Sequence, residues 1–94
     1  MLNLPSHELL EMRHTFPCVY TFKVIGYADD NFTARVVACV REELRLETDP
    51  PFSLRNTAHG RHVAVTLDPT CESSQQVLAI YARLSGLDGL VMLL

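Results

Sequence analysis

Residues 17–26 alternate without a break and then stop at a glycine. Cys18, Tyr20, Phe22 and Val24 fall on one side of an extended chain, and Val19, Thr21, Lys23 and Ile25 on the other. A period of two over this length predicts a strand, because successive side chains of a pleated backbone point to opposite faces. The first set is apolar throughout and is the expected core face. The second is mixed, which suits a sheet face that is open or half covered. Gly26 is followed at once by Tyr27-Ala28-Asp29-Asp30-Asn31. A carboxylate before a helix accepts orphan backbone N–H groups and favours the helix dipole, so Asp29 or Asp30 is the expected cap. The rest of the chain has to be arranged around this strand, its glycine and the helix that follows.

That helix is expected over 31–47, where Phe32, Val36, Cys39, Val40 and Leu44 recur at spacings of three and four. Arg35, Arg41, Glu42 and Arg45 occupy the opposite side, the pattern of an amphipathic helix on a core. Asp49-Pro50-Pro51 stops it, since two prolines can neither continue a helix nor enter a central strand. Phe52–Thr57 reads as a second strand at an edge. Ala58-His59-Gly60-Arg61 reads as a hairpin turn with glycine supplying positive φ. His62–Leu67 is the third strand, burying Val63, Val65 and Leu67. A second helix is expected over about 71–85, with Val77, Ile80, Tyr81 and Leu84 inward. Ser73 and Gln76 stand at capping-box spacing, Thr70 competes as the cap, and Gly86 suits the end. Leu87-Asp88-Gly89 turns into a last strand, Leu90–Leu94. Residues 1–15 hold one or two possible helical turns, too few to be stable alone, and are expected to form a loosely docked arm.

The resulting order, β-α-β-β-α-β over residues 16–94, comprises two split βαβ units. Right-handed crossovers turn these into an α+β, ferredoxin-like two-layer sandwich. Its antiparallel sheet has strand order 4-1-3-2, with both helices on one face. The first and third strands become central, and they are the two with the best apolar faces.

Charge and composition bound what such a domain can do. Eight basic residues, seven arginines and Lys23, face eleven carboxylates, for a net charge of −3. Binding to nucleic acid through phosphate neutralisation therefore has no overall basic excess to draw on. Three cysteines, Cys18, Cys39 and Cys71, are too few and too separated for a disulfide framework and are expected to be reduced. The first residues carry no basic segment followed by a long apolar run, and no stretch approaches the ~20 apolar residues needed to span a bilayer. A cytoplasmic protein without membrane contact is the expectation.

No arrangement of residues points to catalysis. Cys18 and Cys39 read as core. Cys71 stands near a helix start with no histidine placed to serve it. His59 and His62 are two potential ligands where a closed zinc site needs four, so no metal and no cofactor are expected. Glycines are single and scattered, which excludes phosphate-loop and dinucleotide fingerprints. Two places remain. One is the loop formed by Gly26, Asp29, Asp30 and Asn31, where free N–H groups and carboxylates could hold a small zwitterion such as an amino acid. The other is the open sheet face: Val19, Thr21, Lys23, Ile25, Arg55 and His62, with Arg61 at its margin. That face is under-polar and suits a partner or a second copy.

Phe16-Pro17-Cys18, Phe22-Lys23-Val24-Ile25-Gly26, and Tyr81-Ala82-Arg83-Leu84 closing on Val91-Met92-Leu93-Leu94 resemble the YbeD-like family of small bacterial proteins. The similarity covers roughly residues 15–94. It implies a ferredoxin-like fold close to that of ACT regulatory domains, and it brings no catalytic residues. Family members often carry an aromatic after the glycine–basic pair of the hairpin, whereas Gly60-Arg61 is followed here by His62. ACT domains place ligands at the loop equivalent to Gly26–Asn31. The functional expectation is a non-enzymatic regulatory or protein-interaction module, homodimeric or with a protein partner, sensing a small-molecule effector at that loop. The alternatives are nucleic-acid or ribonucleoprotein binding through the open sheet face, and a small hydrolase or transferase.

Overall fold

The computed structural model describes residues 4–57 and 59–94. Ala58, assigned above to the hairpin turn, and the first three residues of the expected arm lie outside the described residues. In chain order the elements are α1 (His7–Arg13), β1 (Cys18–Val19), β2 (Phe22–Tyr27), α2 (Phe32–Leu44), β3 (Phe52–Asn56), β4 (His62–Leu67), β5 (Thr70–Cys71), α3 (Ser74–Ser85) and β6 (Leu90–Leu93).

The main sheet runs β3-β4-β2-β6, antiparallel throughout, which is the expected order with β2 and β4 at its centre. Phe22 and Val24 of β2, Val63, Val65 and Leu67 of β4, and Leu93 of β6 form the buried side. They meet Phe32, Val36, Val37 and Val40 of α2 and Val77, Ile80, Tyr81 and Leu84 of α3. Each fully buried side chain of this kind contributes roughly 1.5–3 kcal/mol relative to exposure, so the two central strands carry much of the stabilisation. The alternation read from residues 17–26 and 62–67 thus assigns inner and outer faces correctly.

Five local expectations are corrected. The first strand is interrupted: β2 pairs with β4, while β1 pairs with β5 in a separate two-stranded ribbon. The ribbon keeps the register of the main ladder, since Phe22 faces Leu67, Tyr20 N–H donates to Pro69 O at 3.0 Å, and Cys18 faces Cys71. Pro69 has no N–H to return, so the ladder breaks there and resumes one step on. Residues 70–71 are consequently strand, and α3 begins at Ser74. Ser73 wins the capping competition: its Oγ accepts from Gln76 N–H at 3.2 Å.

Gly26 lies inside β2, which continues to Tyr27. The residue that caps α2 is Asn31, with no side-chain cap bond, in place of the expected Asp29 or Asp30. Asp30 and Asn31 both have left-handed backbones, φ 49° and 56°, a region in which Asp and Asn are the commonest non-glycine residues. Finally, the expected loose arm contains a capped helix. Ser6 Oγ accepts from Leu9 N–H, Leu10 is buried, and His7 Nδ1 lies 2.8 Å from the buried Ser74 Oγ of α3. One buried leucine and one polar contact supply the tertiary anchoring that a seven-residue helix lacks alone.

Candidate functional site

A groove of about 850 Å³ opens on the helix side of the sheet, where β3 extends beyond the cover of α2. Its floor is apolar: Phe52 and Leu54 of β3, Val63 of β4, and Ala34, Val37 and Ala38 of α2. One end is closed by Asp29, Asp30 and Asn31, and the other by Arg41 and Asp49, which form an ion pair at 3.1 Å. The fold produces this groove directly. Phe52, Leu54 and Asn56 have the parity of the core face, yet among the described residues no helix lies over them, and Phe52 and Leu54 stay 42% and 51% exposed.

Among the described residues, strand β3 is also a free edge. Asp68 N–H donates to Pro51 O and Thr57 N–H to His62 O, so the hydrogen-bonded pairs with β4 fall on residues 51, 53, 55 and 57. The main-chain groups of Phe52, Leu54 and Asn56 therefore point away from β4. The residues that line the groove are also those that offer unpaired backbone donors and acceptors along its rim.

The loop at the acidic end is held from below and from the side. Phe32, the first residue of α2, lays its ring directly on Gly26, where an added Cβ would stand 2.2 Å from Phe32 Cζ. Glycine at 26 is a packing requirement of this ring; it does not line the groove. Arg35 stands over the Phe32 ring, 5.5 Å from its centroid. Its Nε donates to Asp30 O at 3.0 Å and its Nη1 to Asp88 O at 2.9 Å. Asp29 and Asp30 are exposed and form no ion pair among the described residues.

The structure therefore brings Asp29, Asp30 and Asn31 together at a groove that the sequence does not announce, and puts Gly26 beneath it. Phe52, Leu54, Asn56, Val37, Arg41 and Asp49 are not read as site residues from the sequence. The visible signal is the Phe52/Leu54 alternation on a strand that follows two prolines. The other expected face is partly dispersed. Lys23 and Ile25 of β2, Arg55 of β3 and His62 of β4 share the open side of the sheet, and His62 stacks with Tyr27 at 5.1 Å. Arg61 sits in the hairpin. Val19 belongs to the separate ribbon, and Thr21 donates its hydroxyl to Asp68 at the break.

Two thiols and a phenol are held in their protonated forms. Burial pushes Cys71 up to about 11, with smaller contributions from Cys18 and Glu72, and burial likewise raises Cys39. Tyr81 is raised by burial and then by its contact with the Tyr20 hydroxyl at 3.2 Å. Neither buried thiol is a ready nucleophile near neutral pH. Among the described residues, no three His, Cys, Asp or Glu side chains converge on a metal-sized site. No helix there is long and apolar enough to cross a membrane.

Residues 11–94 match the family model described as "Protein of unknown function (DUF493)". The chain belongs to this family. Its relatives include UPF0250 proteins of Shewanella sp. strain ANA-3, at 34% identity, and of Shewanella oneidensis, at 33%. Each of those alignments spans 89 residues and covers 95% of this chain and 94% of the relative. The YbeD-like kinship implied by the first-strand and C-terminal motifs is thereby established. Two solution structures of the hypothetical protein HP0495 from Helicobacter pylori share the fold. One superposes with a TM-score of 0.62 at 17% identity, covering 100% of this chain and 98% of that one. The other gives 0.56 at 21% identity, covering 84% and 87%. That likeness shows a shared fold, and the strand order of this chain makes it the expected α+β, ferredoxin-like sandwich. The names of the relatives assign no reaction, substrate or ligand.

Proposed function

We propose that this protein is a non-enzymatic interaction module that adds an extended segment of a partner protein to the free edge of β3. The observation that carries this reading is the coincidence of two features on the same three residues. Phe52, Leu54 and Asn56 present outward backbone groups and also floor the apolar groove. Strand addition takes its affinity from main-chain hydrogen bonds and its selectivity from alternate side chains entering pockets. The fitting segment has apolar residues at every second position and a lysine or arginine reaching Asp29 and Asp30, which complement a cation. Regulation enters at those carboxylates, because the ammonium group of a free amino acid would compete with that basic residue for them.

The test is fluorescence anisotropy with a short labelled peptide carrying valine at alternate positions and lysine at both ends. It is compared with an aspartate-ended version and with one methylated on its backbone amides. The lysine-ended peptide binds and the other two do not. Leu54→Pro removes an outward N–H while leaving the bonds to β4 intact, so it abolishes binding and preserves the circular dichroism spectrum. Binding that survives Leu54→Pro, or no binding by any peptide of the series, overturns the reading. Sedimentation showing a dimer that Leu54→Pro dissociates also overturns it, by assigning the edge to a second copy of the chain.

A further inference from the structure

Cys18 and Cys71 are separated by more than half of the sequence, yet they are direct cross-strand partners in the β1–β5 ribbon. Both are free thiols. Tyr20 N–H donates to Pro69 O two positions along the same ladder, which makes Cys18–Cys71 a hydrogen-bonded pair of the antiparallel pattern. Residues so paired have Cα atoms about 5.5 Å apart and side chains on the same face. Disulfides most often bridge Cα atoms about 5.5–6 Å apart with Cβ atoms about 3.5–4.5 Å apart. The Cα spacing therefore already fits, and the Cβ atoms, roughly 5.5 Å apart in such a pair, draw together as the bond forms. We propose that Cys18 and Cys71 form a reversible disulfide that fastens the ribbon, using a low-molecular-weight disulfide such as oxidised glutathione as the oxidant.

The two sulfurs have different access, and that sets the order of events. Cys18 is half-buried and Cys71 is fully buried. Cys18 sulfur, having given its proton to solvent, attacks one sulfur of glutathione disulfide, and the first glutathione leaves as a thiolate that takes up a proton. Cys71 is no ready nucleophile toward reagents in solution, but strand pairing holds it against the mixed disulfide. As its thiol gives up its proton, its sulfur attacks Cys18 sulfur. The second glutathione departs as thiolate and is protonated by the proton Cys71 has lost. Two protein thiols are oxidised and one glutathione disulfide is reduced to two molecules of glutathione. Cys39 is buried on α2 and takes no part.

The crosslink closes a loop that contains β2, α2, β3 and β4, the whole groove-bearing part of the sandwich. It also ties the chain leaving α1 to the residues that lead into the Ser73 cap of α3. Closing a loop of several tens of residues restricts the unfolded chain strongly, in the chain-entropy view of disulfides. For a domain of this size the melting temperature of the oxidised form should rise by on the order of 10 °C.

The native protein is incubated with glutathione buffers from fully reduced to fully oxidised, then quenched by acid. Accessible and denatured thiols are counted, and the linked peptides are identified by mass spectrometry. Expected are a fall from three thiols to one, the loss of two hydrogens in mass, a Cys18–Cys71 peptide pair and the rise in melting temperature. Reduction with dithiothreitol reverses all four. Cys18→Ser abolishes them, and Cys39→Ala leaves the link intact, which keeps the test decisive even where Cys71→Ser folds poorly. Three thiols persisting in the most oxidised buffer would overturn the proposal. So would a glutathione adduct that stays on Cys18, or a link that forms only in denaturant.

Discussion

Replacing Gly26 with alanine adds one carbon at the most constrained point of the structure. Elsewhere in a strand, Gly→Ala is stabilising by roughly 0.5–1 kcal/mol, because alanine loses less backbone freedom on folding. Here the new Cβ would stand 2.2, 2.4 and 2.6 Å from three atoms of the Phe32 ring, about 1 Å or more inside the ~3.5–4.0 Å optimum for carbon pairs. Retreat of the ring is restricted, although one part of it borders the groove. Phe32 is 1% exposed, Arg35 stands over its ring, and the space beside it is bounded by Gly89. Overpacking of this kind costs about 1–3 kcal/mol, which outweighs the entropic gain and reverses the sign. The expected result is a net loss of about 1–2 kcal/mol, or a fall in melting temperature of roughly 4–16 °C for a domain of this length. Urea unfolding followed by circular dichroism measures it, with an unchanged m-value. The decisive comparison uses Phe32→Ala as a second background. Phe32→Ala alone costs about 3–5 kcal/mol, but with the ring gone Gly26→Ala should be neutral or stabilising. Additivity of the two substitutions within about 0.5 kcal/mol would refute the claim that the ring dictates glycine at 26.

Ser73→Ala, which removes the cap of α3, should cost about 1 kcal/mol in the same assay, whereas Thr70→Ala in β5 should stay within about 0.5 kcal/mol. Stability should decline in alkali, because the unfolded chain releases the Cys71 proton near pH 9 while the folded protein holds it to about pH 11. The folded state then binds more protons across that window, so unfolding free energy falls with pH, by at most about 1.4 kcal/mol per unit for one group. Cys71→Val should flatten the decline between pH 9 and 11, read from urea midpoints at successive pH values. Asp29→Asn with Asp30→Asn should weaken the lysine-ended peptide and reduce the salt dependence of its binding, measured by anisotropy between low and high ionic strength.

Much of the sandwich is legible in the sequence because its central strands are strictly two-periodic and only one of their faces is apolar. Phe22, Val24, Val63, Val65 and Leu67 could be placed inward before any coordinate was known. What is not legible depends on pairing across long separations. Nothing local tells residues 18–19 that their partners are residues 70–71, nor that Pro69 divides one ladder into two. Asp29 and Asp30 have the composition of caps, but two successive left-handed residues, Asp30 and Asn31, turn the chain so that Asn31 takes the cap position. Gly26 looks like a strand terminator until Phe32 is seen resting on it. The groove is less visible still. It arises from what fails to cover Phe52 and Leu54, and a missing neighbour leaves no mark in a linear pattern.

Arg35 has a consequence for how two neighbouring turns are coupled. Its guanidinium joins the carbonyl of Asp30, in the turn before α2, to that of Asp88, in the turn before β6. These turns feed β2 on one side and β6 on the other, and the two strands are hydrogen-bonded neighbours. A planar, rigid group bonded at both ends acts as a strut. A displacement of the Asp30 main chain would therefore pull on the start of β6 through this one side chain. Replacing Arg35 would uncouple the acidic turn from the far edge strand.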